Sequence, residues 1–309
     1  IRICLVGSEM CIRDRPGDNY NGLTVANVDT TLTDGPTEKT TDRSQHSIRA
    51  TSSRGPTTDG RRKPDIAAPG HDTRTAAPDP NAYTYEGPYK DRFVEDEYKE
   101  YDEDTITRLA TGTSLASPHV AGAAVLVRQA LEESNNRQYQ KFSPLVKAVL
   151  INSADNNSRN VLSEDLPQYC DSNGNWCPSR GWGYMDLTQA YSEYENTKQF
   201  ELRPWSRSKS YRVLNNDKNF KATLVWEHKN FDDASKLLSV DMTLYKDNSR
   251  YEIQSDHSEG IHNVLQVQTK RRTDLCIQIE ASESGVFSPY TMSLASNTRL
   301  IPCLLYTSD

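Results

Sequence analysis

Apolar residues follow two different rhythms along this chain, and the change falls near residue 200. In the first part, Val120, Ala123, Ala124, Val127 and Leu131 recur at helical spacing within ATGTSLASPHVAGAAVLVRQAL (110–131), immediately after a Gly-Thr turn. The many alanines predict close packing and a central helix, with Pro118 read as a first-turn proline. SPLVKAVLINSA opens with Ser-Pro and predicts a second helix over 143–153, carrying Leu145, Val149 and Leu150. GWGYMDLTQAYSE (181–193) predicts a turn and a third helix. GLTVANVDTT (from residue 22) reads as a short buried strand. Residues 52–70, SSRGPTTDGRRKPDIAAPG, read as ordered loop with one extended piece at Asp65–Ala67.

After residue 200 the period shortens to two. FKATLVW (220–226), LLSVDMTLY (237–245), HNVLQVQT (262–269), LCIQIEA (275–281) and YTMSL (290–294) all alternate. Short strands separated by polar turns predict an antiparallel sandwich of about a hundred residues, with its boundary near Asn196–Pro204. Residues 71–105 are polar, tyrosine-rich and acidic without periodicity, and read as a solvated surface insertion. No internal repeat is visible.

Composition narrows the classes. A chain of 309 residues that is 35% hydrophobic and 26% charged is that of a soluble globular protein, and no apolar run is long enough for a membrane span. The net charge of −7 argues against a nucleic-acid partner, which calls for a basic face. IRICLVGSEMCIRDR has neither the unbroken apolar core nor the cleavage site of a secretory signal.

The two extremities match each other in an unusual way. One nucleotide sequence that encodes Met10–Arg15 encodes Cys303–Thr307 on its complementary strand, in the manner of a ligated transposase adapter. The expectation is that residues 1–15 and 303–309 are adapter-derived and that the natural chain continues past both. Setting aside Cys4, Cys11 and Cys303 leaves Cys170, Cys177 and Cys276. Cys170 and Cys177 flank the turn-rich DSNGNW, where either a local disulfide or two free thiols is consistent with the spacing.

A serine placed on a tight turn at the head of a helix is how a nucleophile is presented. GTSLASPHVAG resembles the serine motif of the subtilisin-like serine proteases, the subtilases. SSRGPTTDGRRKPDIAAPG resembles the segment before that motif, TVANVD the strand before that, and GWGYMDLTQAY the closing turn and helix. The four occur in the family's order over residues 20–195. The resemblance implies a doubly wound parallel α/β sheet, here its C-terminal part over 16–197, followed by an antiparallel β-sandwich over 198–302. ATLVWEH and HNVLQV resemble the β-domain appended to some subtilases.

The resemblance makes Ser114 the nucleophile of an endopeptidase that forms an acyl-enzyme, with the Ser114 backbone N–H as one oxyanion donor. The family's Asp, His and oxyanion Asn precede Ser in the chain and would all fall before residue 16. His119, His46, His71, His228, His257 and His262 match no motif; His119 lies five residues along the helix, and the loop and sandwich histidines read as surface residues. This chain alone is therefore expected to be inactive. The alternative is a catalytically inactive subtilase-like protein whose sandwich binds or stabilises. An α/β-hydrolase elbow would need glycine where Ala116 stands.

The implied partner is a polypeptide substrate, for a secreted, monomeric protein with no nucleic-acid or membrane partner. No cofactor is required for the chemistry, but subtilases commonly bind structural calcium. DSNGN (171–175) and the group Asp232, Asp233 and Asp241 offer oxygen ligands without a complete loop spacing, and read as a turn and a polar strand end. The acidic stretch 85–104 could rim the cleft and favour basic substrates, but a solvated loop is the leading reading.

Overall fold

The computed structural model describes residues 3–4, 17–30, 42, 46–76, 107–134, 142–156, 170–214, 219–229, 237–246, 251–271, 273–282 and 289–303. The acidic stretch at 85–104, Asp232 and Asp233 lie outside them.

In the first part, β2 (Leu23–Asp29) runs parallel to both β1 (Ile3–Cys4) and β4 (Ile66–Pro69), while β3 (Ser47–Ile48) joins β2 antiparallel. β5 (Thr73–Ala76) and β6 (Thr107–Ala110) form a separate antiparallel pair. α1 (Thr113–Glu133) lies across β2 and β4, and α2 (Phe142–Ser153) and α3 (Leu187–Glu193) complete the helices. The architecture is mixed α/β with several antiparallel sheets. The described residues do not form the expected doubly wound parallel sheet. Parallel neighbours require long crossovers, and among the described residues parallel pairing joins β2 to β1 and β4, with one further parallel bridge from Ala67 of β4 to Tyr184.

α1 buries Ala116, Val120, Ala123, Ala124, Val127 and Leu131, the stripe read from the sequence. Its proline is placed differently from expectation. The helix starts at Thr113, so Pro118 sits in the second turn and removes the bond that its N–H would give the Ser114 carbonyl. α2 is buried from Pro144 through Ser153, Lys147 included, because it has neighbours on every side.

Those neighbours include the sandwich. One sheet runs β12 (Val264–Thr269), β9 (Phe220–Trp226), β14 (Tyr290–Ser296), β7 (Thr197–Leu202). The other runs β11 (Tyr251–His257), β10 (Val240–Lys246), β13 (Leu275–Ala281), β8 (Ser208–Val213), β15 (Leu300–Pro302). All pairings in both are antiparallel. Between the sheets pack Phe220, Leu224, Trp226, Met242, Ile277, Ile279, Met292 and Leu294, all inaccessible to solvent. The outer face of the first sheet is also buried: Val225, Val264 and Ala295 belong to the same apolar cluster as α1 and α2. The two parts therefore share a core, and at ~25 cal/mol per Å² such shared apolar area is the main force holding them together.

Among the described residues no helix is long and apolar enough to cross a membrane.

Candidate active site

The site is built where β4 ends. Gly70 follows β4 directly, and the Gly112 N–H donates to its carbonyl at 2.8 Å, fastening the end of β4 to the turn that starts α1. A Cβ at residue 70 would lie 2.6 Å from both Asn27 Oδ1 and the Gly112 carbonyl, and 2.8 Å from the Ala116 nitrogen. Only glycine permits that approach. At residue 112 a Cβ would crowd Ser114 Oγ at 3.1 Å.

From this turn α1 rises with Gly112 as its cap, no side chain capping it and no acidic residue in the first turn. The Leu115 and Ala116 N–H groups return to the Gly112 carbonyl at 3.0 and 3.2 Å. Ser114 is exposed, between buried Thr113 and half-buried Leu115. It thus stands at the positive end of a 21-residue helix, where first-turn N–H groups lack intrahelical acceptors. An oxyanion developing there meets oriented donors, as acyl transfer requires.

Two polar groups beneath the serine are unusual. Asn27 is 1% exposed, yet among the described residues neither atom of its amide has a hydrogen-bond partner, and the buried Thr113 hydroxyl has none either. Sequence reading passed over Asn27. Its only signal is an amide within an otherwise apolar strand, LTVANVD.

The histidines fall into three groups. His119 is exposed and its Nδ1 engages the Leu115 carbonyl at 2.8 Å, so it serves its own helix. His71, expected on the surface, is half-buried beside the serine turn: Nδ1 meets Thr111 Oγ1 at 2.8 Å, and Nε2 faces Asp72 at 3.5 Å and Asp29 at 3.6 Å. Arg49 completes this cluster through its 2.8 Å ion pair with Asp29. His46 and His228 are buried, at 4% and 2% exposure, because apolar neighbours close over them: His46 meets the Tyr184 ring, and His228 the rings of Tyr20 and Trp226. His257 is exposed on the sandwich. Among the described residues no imidazole bonds Ser114.

Behind the site, the KPD of the loop forms a buried ionic hub. Asp65 accepts from Lys63 at 2.6 Å and from the Thr24 N–H at 2.8 Å, and pairs with Lys147 of α2 at 2.9 Å. Both lysines also donate to the Gly22 carbonyl. Burial, with Lys147 adding, pushes Lys63 down to about 8 although Asp65 opposes it. For Asp65, burial disfavours the charge, but Lys147 and Lys63 together hold its carboxyl below the usual range. The hub fixes β2 and α2 to the strand that ends at Gly70.

The cysteine question is settled: Cys170 and Cys177 form a disulfide. The loop it closes is a turn, with Asp171 accepting from the Asn175 and Gly174 N–H groups. Among the described residues no group of three or more His, Cys, Asp or Glu side chains that could hold a metal ion is found. Cys276 and Cys303 place their sulfurs 3.5 Å apart.

The subtilase family model matches residues 12–168, just over half of the chain. The chain belongs to the subtilase family. A subtilase is a serine peptidase by family, and the matched span includes the whole turn and helix that present Ser114. No curated protein matches the chain. Solved structures align over about a third of this subtilase. The pre-peptidase C-terminal domain of collagenase from Bacillus anthracis does so at 13% identity, covering 32% of this chain and 86% of that one, with a TM-score of 0.24. The lysozyme inhibitor PliG of Aeromonas hydrophila gives 9%, 33%, 84% and 0.24. The Yersinia pseudotuberculosis-derived mitogen gives 12%, 33%, 83% and 0.22.

Proposed function

We propose that this subtilase is a serine endopeptidase in which Ser114 attacks a peptide carbonyl and its backbone N–H stabilises the oxyanion, an acyl-enzyme then being hydrolysed by water. The observation that carries the reading is the exposed Ser114 at the uncapped head of α1, with Gly70 and Gly112 bringing β4 directly beneath it. A serine hydroxyl needs a base, and no described imidazole bonds Ser114, so in this reading the His and its orienting Asp come from polypeptide beyond the described residues. The substrate is a polypeptide. The Cys170–Cys177 bridge supports action in an oxidising, extracellular setting.

Fluorophosphonate labelling tests this. The 309-residue chain should label no faster than its Ser114→Ala variant, because triad members act as a unit. The chain extended with an N-terminal segment bearing Asp and His motifs should label at Ser114 and cleave casein. Rapid labelling of the unextended chain would refute the division of the triad. No labelling of the extended one would favour the inactive, stabilising reading.

A further inference from the structure

We propose that a polar cleft between the disulfide loop and the open edge of the sandwich binds a neutral oligosaccharide. The cleft is a shallow, solvent-open groove of about 600 Å³ and lies where β11 and β12, the edge strands of the two sheets, run side by side. Ser172 and Asn173 of the loop form one wall. Glu252, Gln254 and His257 of β11 form another, and Gln268, Thr269 and Arg271 close it.

The walls are held before any ligand arrives. The disulfide closes the loop, and Asn173 Nδ2 donates to the Ser255 carbonyl at 2.7 Å. Ser255 Oγ donates to Glu252 at 2.6 Å, and the Gln268 N–H donates to Gln254 Oε1. Gln268 also bonds Asn175 inside the loop. These bonds leave Asn173 Oδ1, Gln254 Nε2, the second Glu252 oxygen and His257 Nε2 without partners among the described residues. Donors and acceptors are thus mixed and pre-positioned, which lowers the ordering cost of binding.

Three classes of ligand fit less well. An apolar ligand needs apolar walls, and Ile253 is the sole apolar lining residue. An anion or cation needs charge of one sign, whereas Glu252 and Arg271 balance and His257 is paired with Asp241 at 2.8 Å. An extended peptide would add to a free strand edge. Both edges are plugged: Asn173 occupies the Ser255 carbonyl, while Asp256 and Gln254 cap the Gln266 and Gln268 N–H groups. A neutral polyhydroxy chain needs what remains, hydroxyl-scale donors and acceptors without net charge.

The test uses the full chain with Ser114→Ala, so it is independent of catalysis. The protein is passed over a microarray of neutral glycans, and a tetrasaccharide from the strongest hit is titrated calorimetrically. Binding should fall at least ~tenfold in Glu252→Ala and in His257→Ala, with unchanged melting temperature, since both lining residues are exposed. Three results would each overturn the proposal: no neutral glycan retained by folded protein, binding undiminished in both variants, or a peptide-library ligand that competes for the same residues.

Discussion

At the Ser114 turn the chain is held by backbone, and polar side chains are left over. Gly112 bonds Gly70, no side chain caps α1, and the amide of Asn27 is buried without a partner among the described residues. At the seam between α2 and the sandwich, side chains do the holding. Glu193 accepts from Asn152 at 2.9 Å, Thr223 donates to Asn152 at 3.0 Å, Gln266 donates to Thr223 at 3.0 Å, and Asn175 donates to the Gln266 carbonyl at 3.0 Å. Asn152, Thr223, Gln266 and Asn175 have no exposure, and the chain of bonds runs from α3 through α2, β9 and β12 into the disulfide loop. Arg62 adds bonds of 2.9–3.0 Å to both oxygens of Asp256, spanning from the pre-helix loop to β11. The seam is tied by a continuous run of side-chain bonds, although Gln266 Oε1 within it has no partner among the described residues; the serine turn is tied by backbone around an exposed hydroxyl.

The largest test of this contrast is Arg62→Ala. It leaves Asp256, 3% exposed, as an unpaired carboxylate whose ionisation burial already disfavours, and should cost ~3–5 kcal/mol in urea unfolding. An effect below ~1 kcal/mol would show that the seam does not depend on this pair.

Acid should open the same seam. Burial above all pushes His228 down to about 4, with Lys147 and Arg61 adding and a backbone group of Ile261 opposing. Burial, Arg62 and His228 likewise push His262 down to about 3. In the unfolded chain both protonate near 6.5, so between that pH and about 4 the unfolded state binds more protons and stability falls as pH falls. For His228 the loss is on the order of 3 kcal/mol, complete near pH 4. His228→Gln should flatten the urea midpoint across this window; an unchanged pH slope would remove His228 from the account.

The smallest effect belongs to the serine turn. Ser114→Ala should shift the unfolding midpoint by no more than ~0.5 kcal/mol, since the hydroxyl is exposed and bonds no described residue. A loss of ~2 kcal/mol would make Ser114 a structural cap rather than a free hydroxyl.

Much of this was legible in the chain. The α1 stripe, α2, α3, β2 and five sandwich strands follow from periodicity, because their apolar positions face one core. β7, β8, β11 and β15 were not read. TKQFEL, SKSYRV and YEIQSDH keep half or more of their residues partly or fully exposed, and such faces carry little hydrophobic signal. The buried face of α2 that meets β9 and β14 was invisible for another reason. Its apolar run gives no direction, and only tertiary contact reveals that a second module completes it. At the site, GTS singled out Ser114, which stands exposed at the head of α1, but the doubly wound parallel sheet expected around it was not found. Nothing local marks Asn27 or the His71–Asp29–Arg49 cluster, which is assembled from residues far apart in sequence.

Burial of α2 from Pro144 to Ser153 has a consequence for how the protein is made. A ribosome releases Ser114 and both long helices well before it reaches Val225, Val264 and Ala295, the residues that cover α2 from the far side. Until β14 emerges, α2 keeps an uncovered apolar flank. The support behind Ser114 is therefore finished only when the sandwich strands β9, β12 and β14 have followed the helices out.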